Sequence, residues 1–239
     1  MLIFAILTFS ACNTEQSVID YAYEESQNVL QQKSYTEYSL DEVLNGIRKW
    51  DSLRSDSDAL LYYFENYNAL NLDISQFPQG SALHAYACIL NGELKFAVIS
   101  EIYDHETYQV SLNSYIKVVD PLYKDITTLT EQTYESYMFP LPTQYIQAED
   151  AIGRIQDWNA NYTTWLSSNL PVYQSFKIPT YSLQAQNYTV YFGFKNNAED
   201  ASVKVADLVF YDDVGLFYNR VWRRPPYPND EKYYILDLI

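Results

Sequence analysis

Cysteine, glycine, histidine and positive charge are all scarce in this chain, and each shortage closes off a class of explanation. Only two cysteines occur in 239 residues, too few for the framework of several bridges that staples small secreted domains. Six glycines leave little material for tight anion-cradling turns. No Gly-x-Ser-x-Gly, no Gly-rich phosphate loop and no His-Glu-x-x-His is present. The two histidines, His84 and His105, belong to no spacing that binds zinc, so neither a metal nor a cofactor is expected. Fifteen basic residues against 31 acidic ones give a formal charge of −16, which argues against nucleic acid, whose phosphates need a basic face.

What the chain does have begins at its first residues. The apolar run from Leu2 to Phe9 is far short of the roughly 20 residues that cross a bilayer as a helix. It fits the core of a signal peptide, and the Ser10-Ala11-Cys12 that follows has the order of a lipobox. Residues 1–11 are therefore expected to be removed, leaving Cys12 as a lipidated N-terminus. Phe9 stands where the pattern prefers leucine, and no Lys or Arg precedes Cys12. Two or more acyl chains on Cys12 would hold the protein at a membrane surface without a spanning helix. Lipidation would also leave Cys88 without a partner, and Cys88 then reads as a small buried hydrophobe. Residues 13–33 are polar, without Gly or Pro, and 12–35 read as a tether or a weak helix between lipid and domain.

The remainder carries landmarks that recur in order, which predicts an internal duplication. Thr36 and Tyr38, then Thr143 and Tyr145, lead into helices that contain Ile-x-x-Trp. The first is at Ile47 and Trp50, and the second follows 108 residues on at Ile155 and Trp158. Phe77-Pro78 and Ile178-Pro179 precede two hairpins, and Tyr103-Asp104 and Tyr211-Asp212 close them, again 108 residues apart. The expected organisation is a first α+β repeat at 36–123, a connector at 124–142 and a second α+β repeat at 143–239. Each repeat is expected to be an amphipathic helix packed on an antiparallel sheet containing a hairpin.

Local chemistry points to the same elements. Ser39 with Glu42 is a capping box, and Leu40, Val43, Leu44, Ile47 and Trp50 then fall at helical spacing, which predicts a helix over 40–54. Residues 57–68 form a candidate second helix and 148–166 a third, with Ile152, Ile155, Trp158 and Tyr162 on one stripe. Asn91-Gly92 lies between two apolar runs and predicts a type I′ hairpin. Alternation puts Leu83, Ala85, Ala87 and Ile89 on one strand face and His84, Tyr86, Cys88 and Leu90 on the other.

No catalytic constellation emerges. His84 and Cys88 share a strand face but stand about 13 Å apart by the strand rise, so they form no dyad, and His84 reads as a core or edge histidine. Asp104, Asp120, Asp207, Asp212, Asp213 and the Glu149-Asp150 pair fall near element ends and read as solvated faces and caps. One basic concentration remains, made by Arg220, Trp222, Arg223 and Arg224 with Tyr227 close behind. Strand alternation puts Arg220, Trp222 and Arg224 on one face, where guanidinium and indole could hold a carboxylate, a sulfated sugar or an acidic loop. The competing account is an edge strand whose arginines pair with acidic neighbours. Tyrosine is also abundant, 25 residues against 11 phenylalanines, which suits wet binding surfaces and half-exposed sheet faces alike.

The lipobox, the lead-in helix with its Trp, the hairpins and the Arg-Arg-Pro-Pro run together resemble bacterial envelope lipoproteins. That resemblance implies a lipid-anchored location in the cell envelope and brings no activity or site residue with it. The expected function is a non-enzymatic binding or structural module for a protein or glycan. The alternatives are a protein that neutralises a toxin at the envelope, for which acidity would steer a basic partner, and a hydrolase whose site is assembled only in the fold.

Overall fold

A computed structural model describes residues 37–129, 145–183, 185–219, 221–224 and 232–239. The expected signal segment, Cys12, the tether and most of the connector lie outside the described residues.

Helix α1 (Leu40–Leu53) begins at the expected capping box. Ser39 Oγ accepts from Glu42 N at 3.3 Å, and the Glu42 carboxylate accepts from Ser39 N at 2.7 Å. Helix α2 (Ser57–Phe64) starts at Asp56, whose carboxylate accepts from the backbones of Asp58 and Ala59 at 3.0 and 3.1 Å. It stops four residues before the expected Asn68. Asn68 is drawn away instead, donating to Lys124 O at 2.9 Å and to Asn159 Oδ1 at 3.0 Å, and strand β1 (Ala69–Asp73) starts directly after it.

Strands β2 (Ala82–Leu90) and β3 (Glu93–Ser100) form the expected hairpin. Asn91 and Gly92 have φ of 52° and 83°, as a type I′ turn requires. A short helix α3 (Leu112–Tyr115) leads to β4 (Lys117–Val119) and β5 (Pro121–Leu122). Strand β6 (Tyr145–Ile146) precedes the long helix α4 (Ala148–Leu166), whose first turn carries Glu149 and Asp150, favourable at the positive end of the helix dipole. Then follow β7 (Ser175–Pro179), β8 (Asn187–Asn196), β9 (Lys204–Asp212), β10 (Phe217–Tyr218), β11 (Trp222–Arg224) and the short helix α5 (Tyr234–Asp237).

The class is α+β, with two wholly antiparallel sheets. One sheet runs β11-β7-β2-β3-β4 and the other β5-β1-β8-β9-β10-β6. The strands are not segregated by half of the chain as the sequence led one to expect. The β2-β3 hairpin is flanked by β7, and the β8-β9 hairpin by β1, so each hairpin is completed by a strand from the other half.

The two exchanges match residue by residue. Ala69 pairs with Tyr191 on one side and Leu122 on the other, and Ser175 pairs with Tyr86 and Arg224. Leu83 faces Ser100 and Val98 faces Lys117; Tyr188 faces Asp212 and Phe210 faces Tyr218. In this register Asp212 stands where Ser100 does. The equal spacing of Tyr103-Asp104 and Tyr211-Asp212 therefore does not put the two aspartates at equivalent positions.

The sheets pack face to face. Leu83, Ala85, Ala87 and Ile89 of β2 meet Tyr188, Val190, Phe192 and Phe194 of β8 in the central core, so the odd residues of β2 do line one face as alternation predicts. Helix α1 covers the outer face of the first sheet, packing Val43, Leu44 and Ile47 on Tyr86, Cys88 and Leu90. Helix α4 covers the outer face of the second, with Ala148, Ala151 and Ile155 on Tyr191 and Val209. The order of layers is helix, sheet, sheet, helix. Trp50 of α1 and Trp158 of α4 belong to the central core and flank Phe64, with ring centroids 6.2 and 5.6 Å from it. No helix among the described residues is long and apolar enough to cross a membrane.

Candidate ligand-binding face

Of the basic stretch singled out above, Trp222, Arg223 and Arg224 form β11, while Arg220 and Tyr227 lie outside the described residues. Strand β11 is held only through β7 among the described strands, so it forms that sheet's edge. Trp222 lies opposite Lys177 and Arg224 opposite Ser175, which puts indole and guanidinium on the outer face together. Their environments differ. Trp222 is 37% exposed, with Lys177 Nζ 5.7 Å from its ring centroid. Arg224 is buried, and its Nε donates to Tyr233 Oη at 2.7 Å. Arg223 points to the other face and donates to Tyr173 Oη at 2.9 Å, its guanidinium 5.2 Å from that ring.

Lys177 also pairs with Glu101 at 2.7 Å. Burial pushes the Glu101 carboxyl up, but the hydrogen bond and charge of Lys177 outweigh it and leave the group below its usual range. Tyr173 is shifted up by burial, partly offset by Arg223. Trp222, Lys177 and Glu101 thus give the outer face of this edge one aromatic surface flanked by both signs of charge.

Inward along the same face lies a cluster that sequence reading missed. His84 sits opposite Lys177 in β2 and is 1% exposed. Its Nδ1 is 2.6 Å from Asp104 Oδ2, which also accepts from Tyr86 Oη, while Asp104 Oδ1 accepts from Ile235 N at 2.9 Å. The Tyr233 ring stacks on the imidazole at 4.1 Å between centroids. Asp104 becomes available because the chain leaving β3 turns back at once: Tyr103 N and Asp104 N both donate to Ser100 O. The Tyr103-Asp104 landmark was the one trace of this in the sequence, and it carried no hint of His84.

Three of the carboxylates expected at solvated faces and caps are interior: Asp104 and Asp207 are 1% exposed and Asp212 is 3%, though Asp104 and Asp212 do accept from backbone N–H groups. Each is fully engaged, because a buried carboxylate is tolerated only when paired or hydrogen-bonded. Asp212 accepts from Leu216 N at 2.7 Å and Tyr218 Oη at 2.9 Å, and Asp207 accepts from Lys195 at 2.9 Å and from Asn219. Lys95 is likewise tied to Asp120 and, at 3.2 Å, to Glu93. Burial penalises its ammonium, yet the two carboxylates prevail and its pKa is raised.

A cleft of about 750 Å³ opens where the two sheets part, lined by Asp73, Lys117, Asp120, Tyr188, Tyr211 and Asp213 among others. Among the described residues no group of three or more His, Cys, Asp or Glu side chains is placed to hold a metal ion. Comparison with family models, with curated proteins and with solved structures returns no match.

Proposed function

We propose that this is a non-enzymatic cell-envelope lipoprotein, anchored through Cys12, whose folded part serves as a binding module for a protein or glycan. The carrying observation is the edge of the first sheet. Trp222 stays partly exposed there beside Lys177 and Glu101, with Arg223 fixed against Tyr173 on the strand's other face. An aromatic ring at low entropy cost, ringed by charged hydrogen-bonding groups, suits a sugar ring or an acidic peptide segment. The short apolar leader and lipobox order support the anchor.

Two measurements test the reading. Palmitate labelling and detergent phase partitioning of the full-length chain should place it in the detergent phase, and Cys12→Ser should move it to the aqueous phase. Glycan-array and envelope pull-down assays should find a ligand whose affinity falls at least tenfold in a Trp222→Ala, Arg223→Ala double variant. Unchanged affinity removes β11 from the site. One observation favours the hydrolase as a second reading, namely the buried His84–Asp104 pair, which has the base-and-orienter arrangement of hydrolytic enzymes. Ester or glycoside turnover that is lost in His84→Gln would select it over the binding module.

A further inference from the structure

We propose that His84 Nε2 and Ser175 Oγ share one hydroxyl-bearing occupant, in a site on the outer face of the first sheet beneath the segment 232–239. Both atoms are buried and make no hydrogen bond among the described residues. Buried polar atoms are nearly always partnered, because a bare one forfeits its hydration with nothing in return. Two such atoms on one face of adjacent strands call for a single explanation.

The register brings them together. His84 lies opposite Lys177 and Tyr86 opposite Ser175, so His84 and Ser175 are diagonal neighbours, with backbones roughly 7 Å apart. Lys177, the direct neighbour, is turned to Glu101. The two imidazole nitrogens diverge, and Nδ1 is held by Asp104, which follows β3 on the side of β2 away from β7. Nε2 lies across the ring from that bond, and the proposed site places it toward Ser175 on β7.

The donor pattern selects the occupant. Asp104 accepts from Tyr86 Oη and from Ile235 N, so it acts as an acceptor throughout and His84 Nδ1 carries the proton. In the neutral ring Nε2 is then a lone-pair acceptor. Ser175 Oγ can donate or accept. The smallest group that donates to Nε2 while bonding to Ser175 is a hydroxyl; a carboxylate or phosphate dianion has no proton to give. Water supplies that hydroxyl in the closed form, and a ligand hydroxyl supplies it when 232–239 lifts. The stacked Tyr233 ring and the Ile235 bond to Asp104 make that segment the cover.

The polar residues exceed what the sheet requires. The matched register puts Thr189, Ala69 and Leu122 of the second sheet at the positions of His84, Ser175 and Arg224. Those residues sustain the same strand pairing without any buried ionisable group. At these matched positions the first sheet carries polar and ionisable side chains that strand pairing itself does not call for, the kind of departure that function, not folding, explains.

The test uses the full chain labelled with 15N. Because the protein has two histidines, comparison with His105→Gln assigns the His84 ring nitrogens. A proton on Nδ1 and an Nε2 resonance at the hydrogen-bonded acceptor position, moving to the free-acceptor position in Ser175→Ala, are expected. A free-acceptor resonance in the original chain, or one that Ser175→Ala leaves in place, overturns the proposal. Titration with methyl β-glucoside separates the sources: a saturable shift assigns the site to a ligand hydroxyl, and an unmoved bonded resonance assigns it to water. Should Ser175→Ala not fold, a high-resolution crystal structure of the unaltered protein decides. It should show one oxygen about 2.7–3.2 Å from both atoms, and density showing none rejects the site.

Discussion

Cys88 shows how burial alone sets a residue's chemistry. It lies in β2 beneath α1, fully enclosed, and is a free thiol. Burial is the main cause that pushes its pKa from 9.0 up to about 12, with the Ala97 backbone and Lys95 opposing. Between those values the folded state keeps a proton that the unfolded state releases, so stability falls as pH rises, by about 1.4 kcal/mol per unit for one proton. Tyr63, Tyr173 and Tyr191 are also raised from 10.0, and Lys95 from 10.5, so they add to the loss only above those values. From pH 9 to 10 the stability difference between the natural chain and Cys88→Ala should therefore narrow by about 1 kcal/mol in urea unfolding. Parallel pH profiles would count against this account. The same burial predicts no reaction with thiol reagents until the chain unfolds. Strand alternation made Cys88 legible as an interior residue. It could not do the same for Asp104, because that burial depends on a loop turning back and on Tyr233 arriving from the other end of the chain.

At the level of elements, the sequence was most legible where a few neighbouring residues set the conformation. The Ser39-Glu42 box and the Asn91-Gly92 turn both act within a few residues, and both appear where expected. The end of α2 was not legible, since Asn68 leaves the helix for partners 56 and 91 residues away. Helices α1 and α4 offer a paired test of the same distinction. Alanine is favoured over glycine in a helix by about 1 kcal/mol, so propensity alone ranks Gly46→Ala and Gly153→Ala equally. Packing separates them. A Cβ at Gly46 would meet Leu90 Cδ2 at 2.8 Å and the Ile89 carbonyl oxygen at 3.0 Å, whereas one at Gly153 meets nothing within 4 Å. Gly153→Ala should stabilise the protein by up to about 1 kcal/mol. Gly46→Ala should destabilise it by about 1–3 kcal/mol, because α1 must lift from β2. Thermal unfolding of the two variants checks the order, and equal shifts would mean that α1 sits less closely on its sheet than its glycine implies.

For the molecule as a whole, the decisive feature is reciprocal completion of the two hairpins. Residues 37–129 contain β2 and β3 but not β7, and residues 145–239 contain β8 and β9 but not β1. Each half keeps its hairpin with the short strands beyond it, β4 in the first and β10 and β6 in the second, but loses the strand on the hairpin's other side and the opposing sheet that buries its inner apolar face. The recurring landmarks predict two similar sets of elements, but nothing in a local pattern states which strand pairs with which, because antiparallel edges accept any partner of fitting register. Further ties cross between the halves outside the sheets. Val172 N donates to Arg54 O at 2.9 Å, Arg54 Nη1 donates to Val172 O at 3.0 Å, and Trp50 Nε1 donates to Tyr173 O at 3.1 Å. Fragments 37–129 and 130–239, produced separately, should therefore remain unfolded or aggregate, while co-expression should yield a soluble complex with the circular dichroism of the whole protein. Loop-closure entropy grows only as the logarithm of chain length, so cutting the connector should cost the assembled pair mainly its concentration dependence. Independent folding of either fragment would show that the strands and covering helix of one half suffice, and that the exchanged strands are dispensable.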